Sequence, residues 1–310
     1  MVSIHRIDTD HGAINADAAQ ANWFALGIVT FVFFMWGFLT SLNDVLIPHL
    51  KSLFSLNYAQ SMLVQFTFFG AYFVMSLPCG KLVSRLGYKH SIVLGLLIAA
   101  GGALLFYPAA SLPSYALFLG ALFILATGIT LLQVAANPYV SLLGPASSAS
   151  MRLNLVQAFN SLGTTLAPKF GGVLILSGVV LGAAEILQLP EAERLAYHLQ
   201  QAQLVQGPYL GLAVTLAALA LLFYIARLPV IVDDTTAEEA RAHRFVNALR
   251  HRNLRLGTIA IFVYVGAEVA IGSFLINYIA QPDIGPACTI QNSINRRVVV
   301  DYFTAHVDLD

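Results

Sequence analysis

The sequence predicts an all-α membrane protein: a six-helix bundle, a long charged connection and a seventh helix. Three observations carry this expectation. The chain is 58% hydrophobic and only 10% charged, with mean hydropathy +0.74, whereas a soluble domain carries about 25% charged residues. Seven segments, roughly 23–49, 58–80, 91–111, 114–143, 153–182, 204–227 and 256–280, are long and apolar, and about 20 such residues of helix cross a bilayer core. Basic residues gather in alternate connections. The segments are too long for barrel strands, and a helix satisfies its own backbone groups, as lipid demands.

The first 22 residues, "MVSIHRIDTDHGAINADAAQAN", are polar and mixed in charge. They lack the basic start and apolar run of a signal peptide, so 23–49 reads as an uncleaved span. Lys81, Arg85 and Lys89 lie between spans 2 and 3, and Arg152 follows span 4. Arg227, Arg241, Arg244, Arg250, Arg252 and Arg255 lie between spans 6 and 7. With Arg6 these are eleven basic residues on one side, against Lys51 and Arg194 on the other. Positive loops stay inside, so residues 1–22 are expected to be cytoplasmic and the connection 183–203, with Glu185, Glu191 and Glu193, external. The expected domains are then a bundle over 23–228, a cytoplasmic linker over 229–255 and span 7 over 256–280. Six spans, a long internal loop and a further span is the organisation of a two-bundle secondary transporter. The last residues, 286–310, "PACTIQNSINRRVVVDYFTAHVDLD", break with this composition. They read as foreign to the fold, the product of a frameshift or truncation; a short external tail is the other reading.

With zero net charge nothing points to a nucleic-acid partner, and the partners expected are the lipid bilayer and a small polar solute. Cys79 and Cys288 form no CxxC pair, and the eight His show no metal spacing. No metal, no cofactor and no catalytic residue set is expected, hence no enzyme, and the chain is expected to be a monomer. Seven spans also suggest a seven-helix receptor. The cytoplasmic N-terminus opposes that class, and span 7 lacks the Lys of a retinal pigment.

Of sixteen acidic residues, only Asp44 and Glu268 fall within or at the edge of spans, and Lys169 is the one Lys that does. Ionisable groups in a membrane are costly and face a bundle interior or a watery cavity. A carboxyl taken out of water holds its proton to higher pH, which suits proton exchange. Asp44 lies about 33 Å along its helix, near the outer boundary, so an interfacial and a cavity placement both stay open. Glu268 lies about eleven residues into span 7, near mid-membrane, where an interfacial placement fails. Lys169 snorkels or marks a shifted span boundary.

Uncharged polar residues add a pattern. Span 4 holds Gln133 and Asn137 beside Pro138, which removes a backbone donor. Span 5 holds Asn154, Gln157 and Asn160 at spacings of three, near one face; span 2 holds Gln65 and span 7 Asn277. Amides both donate and accept, which suits sugar hydroxyls, and Trp36, Phe69 and Tyr139 offer aromatic faces for sugar C–H groups. A single amide more often glues helices together; the set on spans 1, 4, 5 and 7 favours a lined cavity. Spans 1, 4 and 7 are equivalent in a 3+3 arrangement, where sites lie at repeat interfaces. They carry Asn43 and Asp44, Gln133 and Asn137, and Glu268. Between spans 2 and 3, Gly80, Arg85, Gly87 and Lys89 follow the spacing G-x4-R-x-G-x-K, which reads as glycine turns in a cytoplasmic gating loop.

That loop resembles the signature loop of the major facilitator superfamily. "FFMWGFLTSLNDVLIPHL", "ANPYVSLLGP", "RLNLVQAFNSLG" and "YVGAEVAIGSFLINY" are similar to the fucose–proton symporter family and look most like its bacterial glucose/galactose transporters, from about Phe24 to Gly285. The resemblance implies the superfamily's N-terminal six-helix bundle plus a seventh helix of an incomplete second bundle. It implies proton-coupled hexose import across a bacterial inner membrane by alternating access, with sugar and proton as partners. In that family the Asp of the L-N-D motif and a Glu of span 4 form the acidic pair. Asp44 matches the first, and Gln133, which cannot titrate, stands at the second. Proton coupling by Asp44 with Glu268 is then expected, with Asn43, Gln133, Asn137, Gln157, Asn160 and Trp36 binding sugar. Twelve spans make the family's working unit, so the chain alone is expected not to transport; a non-transporting sugar sensor or scaffold is the alternative.

Overall fold

The computed structural model describes residues 23–54, 56–111, 114–174, 190–226 and 251–279. They fall into two compact units, Met1–Ile231 and Val232–Asp310. The N-terminal segment 1–22, most of the linker, the tail 286–310 and Glu185 and Cys288 lie outside the described residues. The first unit contains α1 (Trp23–Leu53), α2 (Tyr58–Ser111), α3 (Tyr115–Leu142), a single 3-10 turn at Ala146–Ser148, α4 (Ala149–Leu174), α5 (Glu191–Gln203) and α6 (Gln206–Ile225). The described part of the second unit is α7 (Arg252–Ile279), with exposed side chains along 251–268.

At about 1.5 Å per residue, α2 would be about 80 Å long if straight, far more than one bilayer crossing. It is broken at Gly87, where φ is 73° and ψ 170°, backbone angles that glycine adopts without steric cost. The two arms, 58–86 and 88–111, correspond to the second and third predicted spans. The connection differs from the expected loop: helix continues through Gly80, Lys81 and Arg85, and a single residue makes the turn. At the start of α2, Asn57 Oδ1 accepts from the Gln60 N–H at 2.8 Å, and the Asn57 N–H donates to Gln60 Oε1 at 3.0 Å. This reciprocal box satisfies two donors of the helix start.

The register of contacts gives the helix directions. Along α1 and α4, Phe33 meets Asn160 and Val45 meets Gly171, so they run parallel. The second arm of α2 opposes α3, with Gly102 against Leu125 and Gly95 against Gly128, and opposes α6, with Phe106 stacked on Tyr209 at 3.9 Å. Asn43 and Asp44 meet Gln65 while Thr40 and Trp36 lie beside Tyr72, so the first arm of α2 opposes α1. Successive crossings therefore alternate in direction. The turn at Gly87, the end of α3 and the end of α6 all lie at one end of the unit.

Close approach is achieved with glycine, as in membrane helices where small residues let backbones touch. A Cβ on Gly37 would run into the Asn160 carbonyl, and one on Gly163 into the Phe34 carbonyl. A second seam joins α2 to α3: Gly102 abuts the Leu125 backbone and Gly128 that of Ala99. Large apolar side chains such as Phe66, Phe73 and Leu77 point outward from α2, where lipid rather than water can receive them. Helices α1, α2, α3, α6 and α7 are long and apolar enough to cross a membrane. The fifth predicted span is the exception: α4 carries Asn154, Gln157, Asn160, Ser161, Thr164, Thr165 and Lys169 among its apolar residues.

Two elements depart from the sequence reading. The connection between the fifth and sixth predicted spans holds an amphipathic helix, α5, with Glu191 and Glu193 in its first turn, where the helix dipole favours negative charge. Arg152, read as a loop charge, is buried at 1% exposure. Its Nε donates to Val140 O at 3.1 Å and its Nη2 to Ser141 O at 2.7 Å and Gly144 O at 3.2 Å. Its Nη1 donates to Pro145 O at 3.2 Å and to Ser148 Oγ at 2.6 Å. The guanidinium therefore caps the carbonyl end of α3, where a helix presents orphan acceptors and negative potential. Lys89 does the same for α6, its Nζ donating to Ala226 O at 2.8 Å.

Two substitutions test this packing. Gly163→Val is expected to lower thermal stability in detergent by about 1–3 kcal/mol. Gly101→Ala, where a Cβ meets nothing within 4 Å, is expected to leave it unchanged, and equal midpoints would contradict the seam. Arg152→Met removes all five hydrogen bonds that the buried guanidinium donates at the end of α3, with an expected loss of about 3 kcal/mol. Arg152→Lys, with three donors and no fork, should recover part of it; a Met variant as stable as the parent would contradict the cap.

Candidate functional site

Trp36, Thr40, Asn43 and Asp44 recur along α1 at intervals of three and four, which places them on one face. Gln65 and Tyr72, seven residues apart on α2, meet that face. Gln65 Nε2 donates to Asp44 Oδ1 at 2.7 Å, and Asn43 Nδ2 donates to Gln65 Oε1 at 3.4 Å. Asn43 is buried at 1% exposure, while Asp44 is bonded on one side and open on the other. The buried Asn43 Oδ1 has no hydrogen-bond partner among the described residues. An acceptor left this way in a buried setting is costly.

One and two turns deeper, the Tyr72 hydroxyl is buried beside Thr40 and Trp36 without meeting hydrogen-bond geometry to either. Thr40 Oγ1 instead donates to its own helix, to Trp36 O at 3.0 Å. Rings line this stretch: Phe33 against Trp36 at 5.3 Å, and Phe68 and Phe69 against Tyr72 at 5.4 and 6.0 Å. The result is a column of polar groups with aromatic walls along α1.

The other residues expected at the site divide. Asn160 Nδ2 donates to Phe33 O at 3.0 Å, so this amide joins α4 to α1. Asn154 and Gln157 are exposed on the same helix. Gln133 is half-buried on α3, and Asn137 turns its Nδ2 back to Gln133 O at 3.0 Å, within its own helix. Tyr139 is buried between Tyr88 and Phe223, in the packing rather than facing a cavity. Glu268 is exposed on α7 in the second unit, described by itself. The side chain of Asn277 lies outside the described residues. Of the gating-loop residues, Gly80 is helical, Gly87 makes the turn, Arg85 is exposed and Lys89 caps α6.

Sequence reasoning placed Asn43, Asp44 and Trp36 together and missed Thr40, Tyr72 and the bond from Gln65 to Asp44. The signal was present: 36, 40 and 43–44 on one helix, and 65 and 72 on the next, each repeat one helical face. No group of three or more His, Cys, Asp or Glu among the described residues could hold a metal ion. The arrangement offers one titratable acid in a network of amides beside aromatic faces.

The Major Facilitator Superfamily family model matches residues 28–288. The chain is 51% identical over 279 residues to the glucose/galactose transporter of Brucella abortus (strain 2308), covering 90% of this chain and 64% of that protein. It is 38% identical over 276 residues to the L-fucose-proton symporter of Escherichia coli K12, covering 87% of this chain and 63% of the symporter. It thus spans less than two thirds of the length of these curated relatives. The solved structure of the transporter FucP in the outward conformation superposes with TM-score 0.75 at 34% identity, over 92% of this chain and 68% of that one. A multi-pass helical bundle with this connectivity and these likenesses is a transporter fold: the chain belongs to the Major Facilitator Superfamily.

Proposed function

We propose that the chain forms part of a proton-coupled hexose importer, with D-glucose or D-galactose as the sugar, in a bacterial inner membrane. The observation that carries this reading is Asp44, hydrogen-bonded to Gln65 within an amide and aromatic column, in a chain 51% identical to a glucose/galactose transporter. A carboxyl at the edge of low-dielectric surroundings changes charge on taking up a proton, and that change alters how it binds hydroxyls. Amides supply donors and acceptors in fixed directions, and an indole or phenyl face covers the apolar side of a pyranose. In this reading Asn43, Gln133, Asn137, Gln157, Asn160 and Trp36 contact the sugar. Asp44 and Glu268 carry the proton, since Gln133, which cannot titrate, stands where the resemblance to the fucose–proton symporter family implies an acid.

The remaining features follow the same reading. The end of the unit that carries Lys81, Arg85, Lys89 and Arg152 faces the cytoplasm, by the bias of basic residues to that side. The turn at Gly87, with Arg85 and Lys89, is the hinge at which the bundle rocks during alternating access. The protein acts as a monomer.

Two experiments test the reading. In the full-length Brucella relative, substitutions matching Asp44→Asn and Glu268→Gln are each expected to reduce proton-driven galactose uptake to background. Uptake left intact by both would overturn the assignment of the acids. In this chain with Cys79 and Cys288 replaced by Ser, Asn154→Cys and Gln157→Cys are expected to react with a membrane-impermeant, hydrophilic thiol reagent. Phe73→Cys, on the outward apolar face of α2, should not. Equal labelling of all three would contradict a watery pathway along α4.

A further inference from the structure

We infer that Gln65 is a positioning residue that ties the protonation state of Asp44 to the orientation of the Asn43 amide. This rests on the proton-coupled reading above and deepens it. Gln65 stands on α2 between two neighbours on α1. One end of its amide donates to the Asp44 carboxylate at 2.7 Å and the other accepts from Asn43 at 3.4 Å. Asn43 Oδ1, the far end of this chain, is buried and unpartnered among the described residues.

The direction of the chain follows from what each group can do. An ionised carboxylate only accepts, so Gln65 must present its NH2 to it and its carbonyl to Asn43. A carboxyl protonated on the oxygen facing Gln65 becomes a donor there. It then needs an acceptor, and the amide turns over to present Oε1. Gln65 Nε2 now faces Asn43, where a second NH2 would repel it, so the Asn43 amide turns as well and accepts with Oδ1. The position held by a buried acceptor becomes a donor. A proton bound on the Asp44 oxygen that faces Gln65 thus reverses the polarity that Asn43 presents, without moving either helix. Leucine at position 65 would fill similar space and break the relay.

Other titratable groups surround this chain. His49 lies further along α1, Tyr72 stands two turns away on the same face of α2, and Tyr115 meets the end of α1 from α3. Lys169 lies on α4, whose Gly171 abuts Leu42 and Val45. Glu191, Glu193 and Arg194 lie on α5. Among the described residues, Gln65 is the side chain that hydrogen-bonds Asp44 directly.

The test is side-chain amide NMR on the full chain in detergent, with 15N-labelled Asn and Gln, recorded from neutral to acid pH without sugar. The signals of Gln65 and Asn43 are expected to move together with one midpoint in the parent protein. They should stay fixed across the same range in Asp44→Asn. In Gln65→Leu, the Asn43 signal should lose its pH dependence while Asp44 still titrates, followed by its 13C carboxyl resonance. Static amide signals while the Asp44 carboxyl titrates would overturn the relay, as would an Asn43 response that survives Gln65→Leu. Neither outcome depends on sugar. Failure of the transport reading would appear separately, as a parent protein with a working relay whose amide signals ignore added D-galactose and D-glucose.

Discussion

At Gly37 and Gly163, α1 and α4 touch through their backbones with no side chain between them. In a membrane there is little hydrophobic gain from bringing helices together, so such contact, with its dispersion and weak polar terms, holds a pair in register. The register has consequences on the other side of α1. It brings Asn160 to the Phe33 carbonyl and holds the opposite stripe, Trp36, Thr40, Asn43 and Asp44, at a fixed angle toward α2. A side chain at either glycine would rotate or lift α1 and take the carboxylate away from Gln65. The polar column therefore depends on a contact that contains no polar side chain of its own, apart from the Asn160 amide that pins it.

The ends of the helices are held by a different kind of force. Arg152 is a buried cation with no carboxylate beside it among its hydrogen-bond partners; four carbonyls and a hydroxyl receive its five donated bonds. Each carbonyl at a helix C-terminus carries partial negative charge, and together they substitute for an anion. Lys89 repeats the arrangement at the end of α6. Basic residues thus serve at this end of the unit as structural caps, beyond any electrostatic preference for one side of the membrane.

Much of this was legible in the sequence, and the reasons for the exceptions are specific. The long apolar runs gave the spans other than the polar α4 because lipid imposes a similar length on every crossing helix. The Asn43–Asp44 pair stood out because a carboxylate is rare after so many uncharged residues. Gly87 was visible as a turn residue, but its neighbour Gly80 carries no mark that tells a helical glycine from a turning one. Arg152 was invisible as a cap, since its five acceptors are mostly main-chain atoms contributed by whichever residues end α3. The helix α5 was hidden in a charged stretch read as a loop, although its acidic first turn is a helix-start signal. The bond between Gln65 and Asp44 depends on how two helices cross, which periodicity on each helix suggests and only the pairing decides.

In the proposed reading, this stretch of chain supplies the proton-linked half of a sugar site. The most direct measurement joins residues 1–279 of this chain to the remainder of the full-length Brucella relative and follows external pH. De-energised cells expressing the chimera are given D-galactose. A transient alkalinisation of the medium is expected as protons enter with the sugar. Sugar entry with no change in external pH would contradict it.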